Sequence, residues 1–438
     1  MSNQFQLMHE QRFRPFFFTQ FLGAFNDNVF KTALITLVAF HAASLTSMRG
    51  GTLATLLPAL FILPFFLFSA TAGQLADKYE KSRIIRIIKV FEIGIMLFAS
   101  AGFFMNNIWL LATALFMMGT HSTFFGPVKY SYLPQHLSEK ELMGGNGMVE
   151  MGSFVAILLG QVLGAWLGAQ HDHATVTSMA ILLIAFMGYS VSRSIVHSPA
   201  TAPQLKINWN PASETLHNLK FAWAHQQIWL ALIAISWFWF YGATLLAQFP
   251  NFAKNVLNGD ESVFILLLSV FSLGIGIGSL LCEKLSAGKV ELGLVLFGAI
   301  GLTIFGVDMY FATPAPLAHA QEVYNYQSFL SVLPHLRLIA DIILLGIFGG
   351  FYIVPLYVLI QARTEKSHQS RVIAANNILN ALFMVASAGF SMWILSLGYS
   401  IAQLFLLTAC VNILVMVYLC LRQPEYFRSF IAWLGKKS

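Results

Sequence analysis

Hydrophobic residues in this chain come in long blocks, not in the short alternations of a half-buried strand. A membrane-spanning helix needs about 20 mostly apolar residues. Runs of that kind lie at roughly 14–42, 52–76, 84–105, 108–133, 143–169, 175–196, 226–250, 262–283, 290–312, 335–361, 371–396 and 399–421. After the N-terminal tail, the longest polar interruption is near 197–222, beginning HSPATAPQLKINWNPASETLHNLK, and it leaves six runs on either side. The pattern predicts an all-α membrane protein with twelve transmembrane helices in two six-helix bundles. The N-terminal bundle spans 1–196, a cytoplasmic linker 197–224, the C-terminal bundle 225–422 and a cytoplasmic tail 423–438. The opening MSNQFQLMHEQRFR runs straight into an apolar stretch too long for a signal-peptide core, so no cleavable signal is expected.

Composition agrees with the pattern. Of 438 residues 57% are hydrophobic and 10% charged, and the mean hydropathy is +0.69. Soluble domains carry about 25% charged residues, so this chain has too little polar surface to dissolve in water as a monomer. The placement of charge matters more than the net +6. With the N-terminus in the cytoplasm, Lys and Arg divide about twenty to three. The cytoplasmic side takes Arg12, Arg14, Lys78, Lys81, Arg83, Arg86 and Lys89, among others, through to Lys436 and Lys437. The opposite side holds only Arg49, Lys254 and Arg337. Both termini are therefore expected inside. Cys282, Cys410 and Cys420 lie in or at the ends of apolar runs, with spacing that suits neither zinc nor a disulfide framework, and read as packing residues.

Six runs followed by six suggest a repeat. At the end of the fourth run FGPVKYSYL leads through a short polar loop to GGNGMVEMGSF; at the end of the tenth, YIVPLYVLIQAR leads to IAANNILNALF. Pro127 then corresponds to Pro355, and Asn146 to Asn376 or Asn377. A same-orientation repeat six spans apart is the pattern of the major facilitator fold, whose halves face each other around a central cavity. Between the second and third runs GQLADKYEKSR, Gly73 to Arg83, resembles the cytoplasmic loop signature of that superfamily, G-x-L-a-D-r-x-G-r-k-r. Gly73, Leu75, Asp77, Lys78, Lys81 and Arg83 match, and Glu80 stands where a Gly is usual. Gly73 permits close helix approach, and Asp77 can meet the positive N-terminal end of a neighbouring helix. Gly73, Asp77, Lys78, Lys81 and Arg83 are read as a conformational-switch loop; the plainer alternative is an ordinary positive-inside loop. The second half has only a degenerate counterpart, GSLLCEKL from Gly278 to Leu285.

The first run contains FLGAFNDNVFK, Phe21 to Lys31. Asp27 falls near mid-membrane and Lys31 follows one turn later on the same face. An ionisable residue at that depth costs at least about 2.5–3.5 kcal/mol. It survives by meeting a partner or a watery cavity. One reading is a self-neutralising Asp27–Lys31 pair that only packs helices. The other is a cavity-facing charge that meets substrate, which Asn26 and Asn28 favour because two amides are surplus to one ion pair. Lys129, beside Pro127 in GPVKY, either snorkels to the cytoplasmic headgroups or serves as a cation for a phosphate or carboxylate. Glu150, Glu92, Asp308 and Asp341 are weaker candidates, with Arg337 four residues from Asp341 and placed to pair with it. His121 reads more readily as a hydrogen-bonded core histidine than as a proton carrier.

QFLGAFNDN at Gln20–Asn28, GPVKY at Gly126–Tyr130 and NGMVEMGSFVAILLG at Asn146–Gly160 together resemble the bacterial lysophospholipid transporter family of the major facilitator superfamily. They are especially similar to the transporter domain often fused to 2-acylglycerophosphoethanolamine acyltransferase. SWFWFYGATLLAQFPNF, GGFYIVPLYVLIQAR and SRVIAANNILNALFMV extend the resemblance over essentially the whole chain. It implies a flippase of the bacterial inner membrane. Such a protein moves lysophosphatidylethanolamine and lysophosphatidylglycerol to the cytoplasmic leaflet, where a cytoplasmic acyltransferase or acyl-carrier-protein synthetase partner reacylates them. It places the family's acidic residue on Asp27 and its lysine on Lys129. An Arg is expected in the seventh run of the standalone transporters; Gln248 stands there in this chain. The expected substrate-binding set is Asp27, Asn26, Asn28, Lys31, Lys129, Glu150 and Gln248, in a monomer surrounded by membrane lipids. A proton-coupled carrier of a small solute or drug would share the fold, with Asp27, Glu150 and His121 as proton sites. A non-transporting scaffold would leave its mid-membrane charges without use. An enzyme is disfavoured. No His has an Asp about four residues on, and no Walker A, G-x-S-x-G or H-E-x-x-H sequence occurs. No catalytic residue, metal, cofactor or nucleic acid is therefore expected.

Overall fold

The computed structural model describes residues 4–45, 50–314 and 323–435. Arg49, Lys436 and Lys437, which enter the charge count above, lie outside the described residues. The helices are α1 (Arg14–Leu45), α2 (Gly50–Lys78), α3 (Lys81–Phe104), α4 (Ile108–His136), α5 (Glu139–Gly168), α6 (His173–Ser192), α7 (Pro211–Ala224), α8 (Gln226–Asn251), α9 (Glu261–Ser286), α10 (Leu292–Ala312), α11 (Tyr326–Leu330), α12 (Leu333–Arg363), α13 (Gln369–Ser396), α14 (Ile401–Arg422) and α15 (Glu425–Gly435). Among the described residues the sole β pairing is an isolated bridge, Gly259 with Tyr324. Eleven described helices are long and apolar enough to cross a membrane; α1, with 32 residues, takes the remaining apolar run.

Local chemistry places the helix starts. Asn107, Asn210 and Asp260 cap α4, α7 and α9 by accepting first-turn amide N–H groups. Ser138 with Glu141, and Ser400 with Gln403, form capping boxes at α5 and α14. The matched prolines of the repeat, Pro127 and Pro355, both fall inside helices, α4 and α12.

The helices sort into two groups. In the first, α1 packs on α5 and α6, α2 on α4, and α3 on α4 and α6; in the second, α12 packs on α9 and α10, α8 on α13, and α10 on α14. Small residues set the tightest contacts. A Cβ on Gly160, Gly164 or Gly168 of α5 would stand 2.7, 2.5 and 2.7 Å from the carbonyl oxygens of Phe25, Val29 and Ala33 in α1. The same device recurs in the second group, where a Cβ on Gly278 of α9 would meet the Ile347 carbonyl of α12 at 2.0 Å. Backbones approach this closely only where no side chain intervenes.

Two stretches read as connecting polar segments are structured. The linker carries α7, whose Glu214, Asn218 and Ala222 are buried one turn apart. The tail carries α15, whose Trp433 Nε1 donates to the Leu285 carbonyl at 2.9 Å. Arg337 also departs from expectation. It pairs with Asp308 across α10 and α12, and not with Asp341 on its own helix. A partner on a neighbouring helix is invisible to sequence spacing.

Candidate functional site

Where the two groups meet, α5 packs on α9 and α2 on α13. Among the described residues, every hydrogen bond between the groups lies at the end of the bundle that carries both termini. Asn146 Nδ2 donates to Gln361 Oε1 at 2.7 Å and Gln361 Nε2 returns a bond to Asn146 Oδ1 at 3.0 Å. Tyr130 and Tyr357 stack with centroids 4.2 Å apart and planes within 5°, and the Tyr130 hydroxyl donates to Glu150 Oε1 at 2.5 Å. Gln4 reaches across with its backbone N–H to Glu283 at 3.0 Å and its amide to the Leu280 carbonyl at 2.9 Å.

Asp77 is the charged centre of this seam. From the last turn of α2 its Oδ1 accepts the Ser370 backbone N–H at 3.1 Å and its Oδ2 accepts Arg371 Nε at 3.2 Å. Both donors belong to the first turn of α13, where free N–H groups and the helix dipole favour an anion. Gly73, one turn earlier, makes the approach feasible, since a Cβ there would lie 2.7 Å from the Ala374 methyl. The other loop residues behave differently. Lys78 sits over the Tyr79 ring, Lys81 is buried with its backbone N–H on the Ser198 carbonyl, and Arg83 is exposed. Among the described residues, none of the three forms a hydrogen bond or ion pair with α13. Glu80, the departure from the loop signature, caps α3 by accepting Ser82 and Arg83 backbone N–H groups, and it also accepts the Ser198 N–H at 2.8 Å. Burial works against ionisation of Glu80, but these bonds outweigh it and hold its carboxyl below the usual range. The tether is thus present above the ordinary Glu pKa and is lost as pH falls through the lowered one.

The opening motif is dispersed over several partners. Asp27 Oδ2 accepts the Ser122 hydroxyl at 2.6 Å, and Oδ1 stands 3.9 Å from His121 Nδ1. Asn26 and Asn28 do not assist Asp27 as expected. Asn26 donates to Glu92 Oε1 at 2.8 Å, and Asn28 donates to the Ala24 carbonyl at 2.8 Å on the face packed against Gly160. Successive residues on a helix point about 100° apart, so three in a row cannot share one ligand. Lys31 makes no ion pair with Asp27; its ammonium lies 5.3 Å over the Phe61 ring.

Beside Asp27 lies a cluster that joins two of the weaker candidates, Glu92 and His121, to a lysine not among them. Lys89, counted above as a cytoplasmic loop charge, is wholly buried and meets Glu92 Oε2 at 2.6 Å. His121 Nε2 is 3.2 Å from the same oxygen. A Cβ on Gly23 would stand 2.8 Å from Lys89 Nζ, so that glycine makes room for the ammonium. The signal was there in the i, i+3 spacing of Lys and Glu within an apolar run.

Lys129 stands apart. Its ammonium donates to Ser153 Oγ at 2.8 Å and lies 5.0 Å over the Tyr130 ring. It has no ion pair among the described residues. Ser153 in turn donates to Gln20 Oε1 at 3.1 Å, so residues from all three quoted motifs meet here.

The model of the Major Facilitator Superfamily matches residues 16–324. The chain belongs to the major facilitator superfamily. It is 27% identical over 365 residues to the lysophospholipid transporter LplT of Shigella sonnei (strain Ss046), covering 82% of each chain. It is 26% identical over 367 residues to LplT of Escherichia coli O7:K1 (strain IAI39 / ExPEC), again covering 82% of each. In fold it is similar to the human organic anion transporter MFSD10, with a TM-score of 0.71 at 12% identity over 93% of this chain and 99% of the other. In this superfamily member Gln248 lies at the end of α8 remote from Lys129, where it accepts a bond from Asn251 at 3.3 Å. Among the described residues no hydrogen bond joins it to Asp27 or Lys129.

Asp77→Asn is expected to slow exchange between conformations with little change in equilibrium ligand binding, because among the described residues Asp77 bonds to the second group at the seam, through Ser370 and Arg371. Parallel measurement of transport rate and binding checks this. A large loss of binding with an unchanged accessibility pattern would count against it.

Proposed function

We propose that this chain is a lysophospholipid transporter of the bacterial inner membrane. It moves lysophosphatidylethanolamine and lysophosphatidylglycerol to the cytoplasmic leaflet. The observation that carries this reading is Lys129, an ammonium inside a spanning helix with a hydroxyl and a ring in contact but, among the described residues, no carboxylate within ion-pair distance. A charge at depth is costly unless something meets it, and a phosphodiester is the anion a lysolipid would bring. Asp27 supplies the opposite charge, and its Oδ1 has no hydrogen-bond donor. At about 1.5 Å per residue Lys129 lies roughly 10 Å and Asp27 roughly 20 Å from the end that carries the termini. The two charges thus sit at different depths, one for each end of a zwitterionic headgroup. Relatives named as lysophospholipid transporters over most of their length support the same assignment.

The excess of Lys and Arg assigns the terminus-bearing end to the cytoplasm. The seam around Asp77 then shuts the cytoplasmic side, and entry is from the opposite face. Arg371 of α13 and Asp77 of α2 part when the carrier turns inward. The protein is a carrier and not an enzyme. It works as a monomer, and reacylation falls to an acyltransferase partner in the cytoplasm.

The reading separates from that of a small-solute carrier by what the protein retains. In nanodiscs, labelled lysophosphatidylethanolamine should be held by the protein and displaced by unlabelled lysolipid. Glycerophosphoethanolamine, the same headgroup without a tail, should compete weakly. Equal competition by the tailless headgroup would transfer the assignment to a soluble solute.

A further inference from the structure

His121 is buried, on α4, between two carboxylates carried by different helices. Its Nε2 lies 3.2 Å from Glu92 Oε2 of α3 and its Nδ1 3.9 Å from Asp27 Oδ1 of α1. From this geometry we propose that His121 is a proton-binding site tied to Asp27: it holds a proton while Asp27 is unoccupied and releases it when a cationic group binds there.

The argument is one of charge. Lys89 and Glu92 are in contact and cancel. Asp27 then has Ser122 as hydrogen-bond donor, but no cation in contact unless His121 is protonated. Lys31, one turn along the same helix, acts on Asp27 only from a distance, with its ammonium over Phe61 and not in contact with the carboxylate. With His121 protonated, the four groups in close contact, Lys89, Glu92, His121 and Asp27, sum to zero; with it neutral, they carry a net negative charge inside the membrane that Lys31 offsets only from a distance, the costlier condition. Helices α2, α5, α12 and α13 also pack on α4, and among the described residues none puts a titratable group in ion-pair contact with His121. Asp77 and Arg371 are paired with each other, and Glu150 is held by Tyr130.

Asp27 faces both ways. One oxygen turns to His121, and the side chain keeps 14% of its surface exposed while His121 keeps 3%. A primary ammonium arriving at Asp27 supplies the same positive charge as the imidazolium. Two cations on one carboxylate are redundant, so the imidazole proton leaves to solvent and the charge of the site is conserved. A headgroup that ends in hydroxyls brings no charge and leaves the proton in place. Lysophosphatidylethanolamine binding is then expected to release about one proton and to strengthen as pH rises, whereas lysophosphatidylglycerol binding releases none. The choice of lysolipid as ligand rests on the function proposed above; the link between His121 and Asp27 does not.

The test is imidazole nitrogen NMR on histidine-labelled protein in nanodiscs, with His121→Gln to assign the resonance. The His121 ring is followed through a pH series. Its midpoint should fall by about one unit or more in Asp27→Asn, since one unit corresponds to about 1.4 kcal/mol of lost interaction. Saturating lysophosphatidylethanolamine should move the wild-type midpoint in the same direction, and lysophosphatidylglycerol should not. A His121 that does not titrate, or whose midpoint is the same in Asp27→Asn, is a packing residue and overturns the proposal. Retained lysophosphatidylethanolamine that leaves the midpoint unmoved overturns the displacement. If the lipid is not retained at all, the lysophospholipid reading falls, while the Asp27→Asn arm still decides the proton site.

Discussion

Lys129→Ala is expected to abolish lysophospholipid transport while leaving the fold intact. Lys129 has no carboxylate in ion-pair contact, and Glu150, the buried acid that feels its charge from a distance, keeps the Tyr130 hydroxyl as donor; the loss is therefore milder than breaking a contact pair, which is strongly destabilising. The direct loss is the bond to Ser153, which keeps both Gln20 and its own helix carbonyl at Val149 as acceptors. What disappears is the cation available to a phosphate. Lys129→Arg is expected to be only partly active, because a planar fork cannot reproduce a point charge held by one hydroxyl. Uptake into proteoliposomes, read beside the thermal midpoint of the same preparation, checks both. A well-folded alanine variant that transports at the wild-type rate would refute the role.

The second large effect is on stability. Lys89→Met should destabilise the first group of helices by about 3–5 kcal/mol, the usual result of leaving one member of a buried pair uncompensated. Glu92 would keep the Asn26 amide and His121 but lose its contact at 2.6 Å. Removing both charges, as Lys89→Met with Glu92→Leu, should recover most of the loss, since apolar replacement of a whole buried pair is often neutral or better. Unfolding measured on the single and double variants separates these outcomes. A single variant within about 1 kcal/mol of wild type would show that the pair contributes little to the fold.

How far the sequence foretold this structure varies with how local each feature is. The spans were legible because length and apolarity are properties of a segment alone, and the runs from 14–42 to 399–421 each fall on a helix. The seam was half legible. Asp77 at a helix end suggested an interhelical anion contact, but Ser370 and Arg371 lie 293 and 294 residues away. The buried cluster was read wrongly because Lys89 sits early in its run, where basic residues commonly face the headgroups; only the fold turns it inward to Glu92. Asn26 and Asn28 were grouped with Asp27 by adjacency, although helical geometry sends the three to different neighbours. Glu80 stands as a mismatch to the loop signature; its cap on Ser82 and Arg83 is local, but its tether to Ser198 of the linker spans 118 residues. Ser122, one residue after His121 and the donor to Asp27, had no signal of its own.

The central claim is that this carrier moves a single-tailed phospholipid across the bilayer using Lys129. The measurement that meets it most directly is transbilayer movement of labelled lysophosphatidylethanolamine in proteoliposomes, with wild-type protein, Lys129→Ala and protein-free vesicles side by side. The account predicts saturable movement with wild type alone, inhibited by unlabelled lysophospholipid and not by diacyl phosphatidylethanolamine. Movement by wild type no faster than in protein-free vesicles, or equal movement with Lys129→Ala, would contradict it.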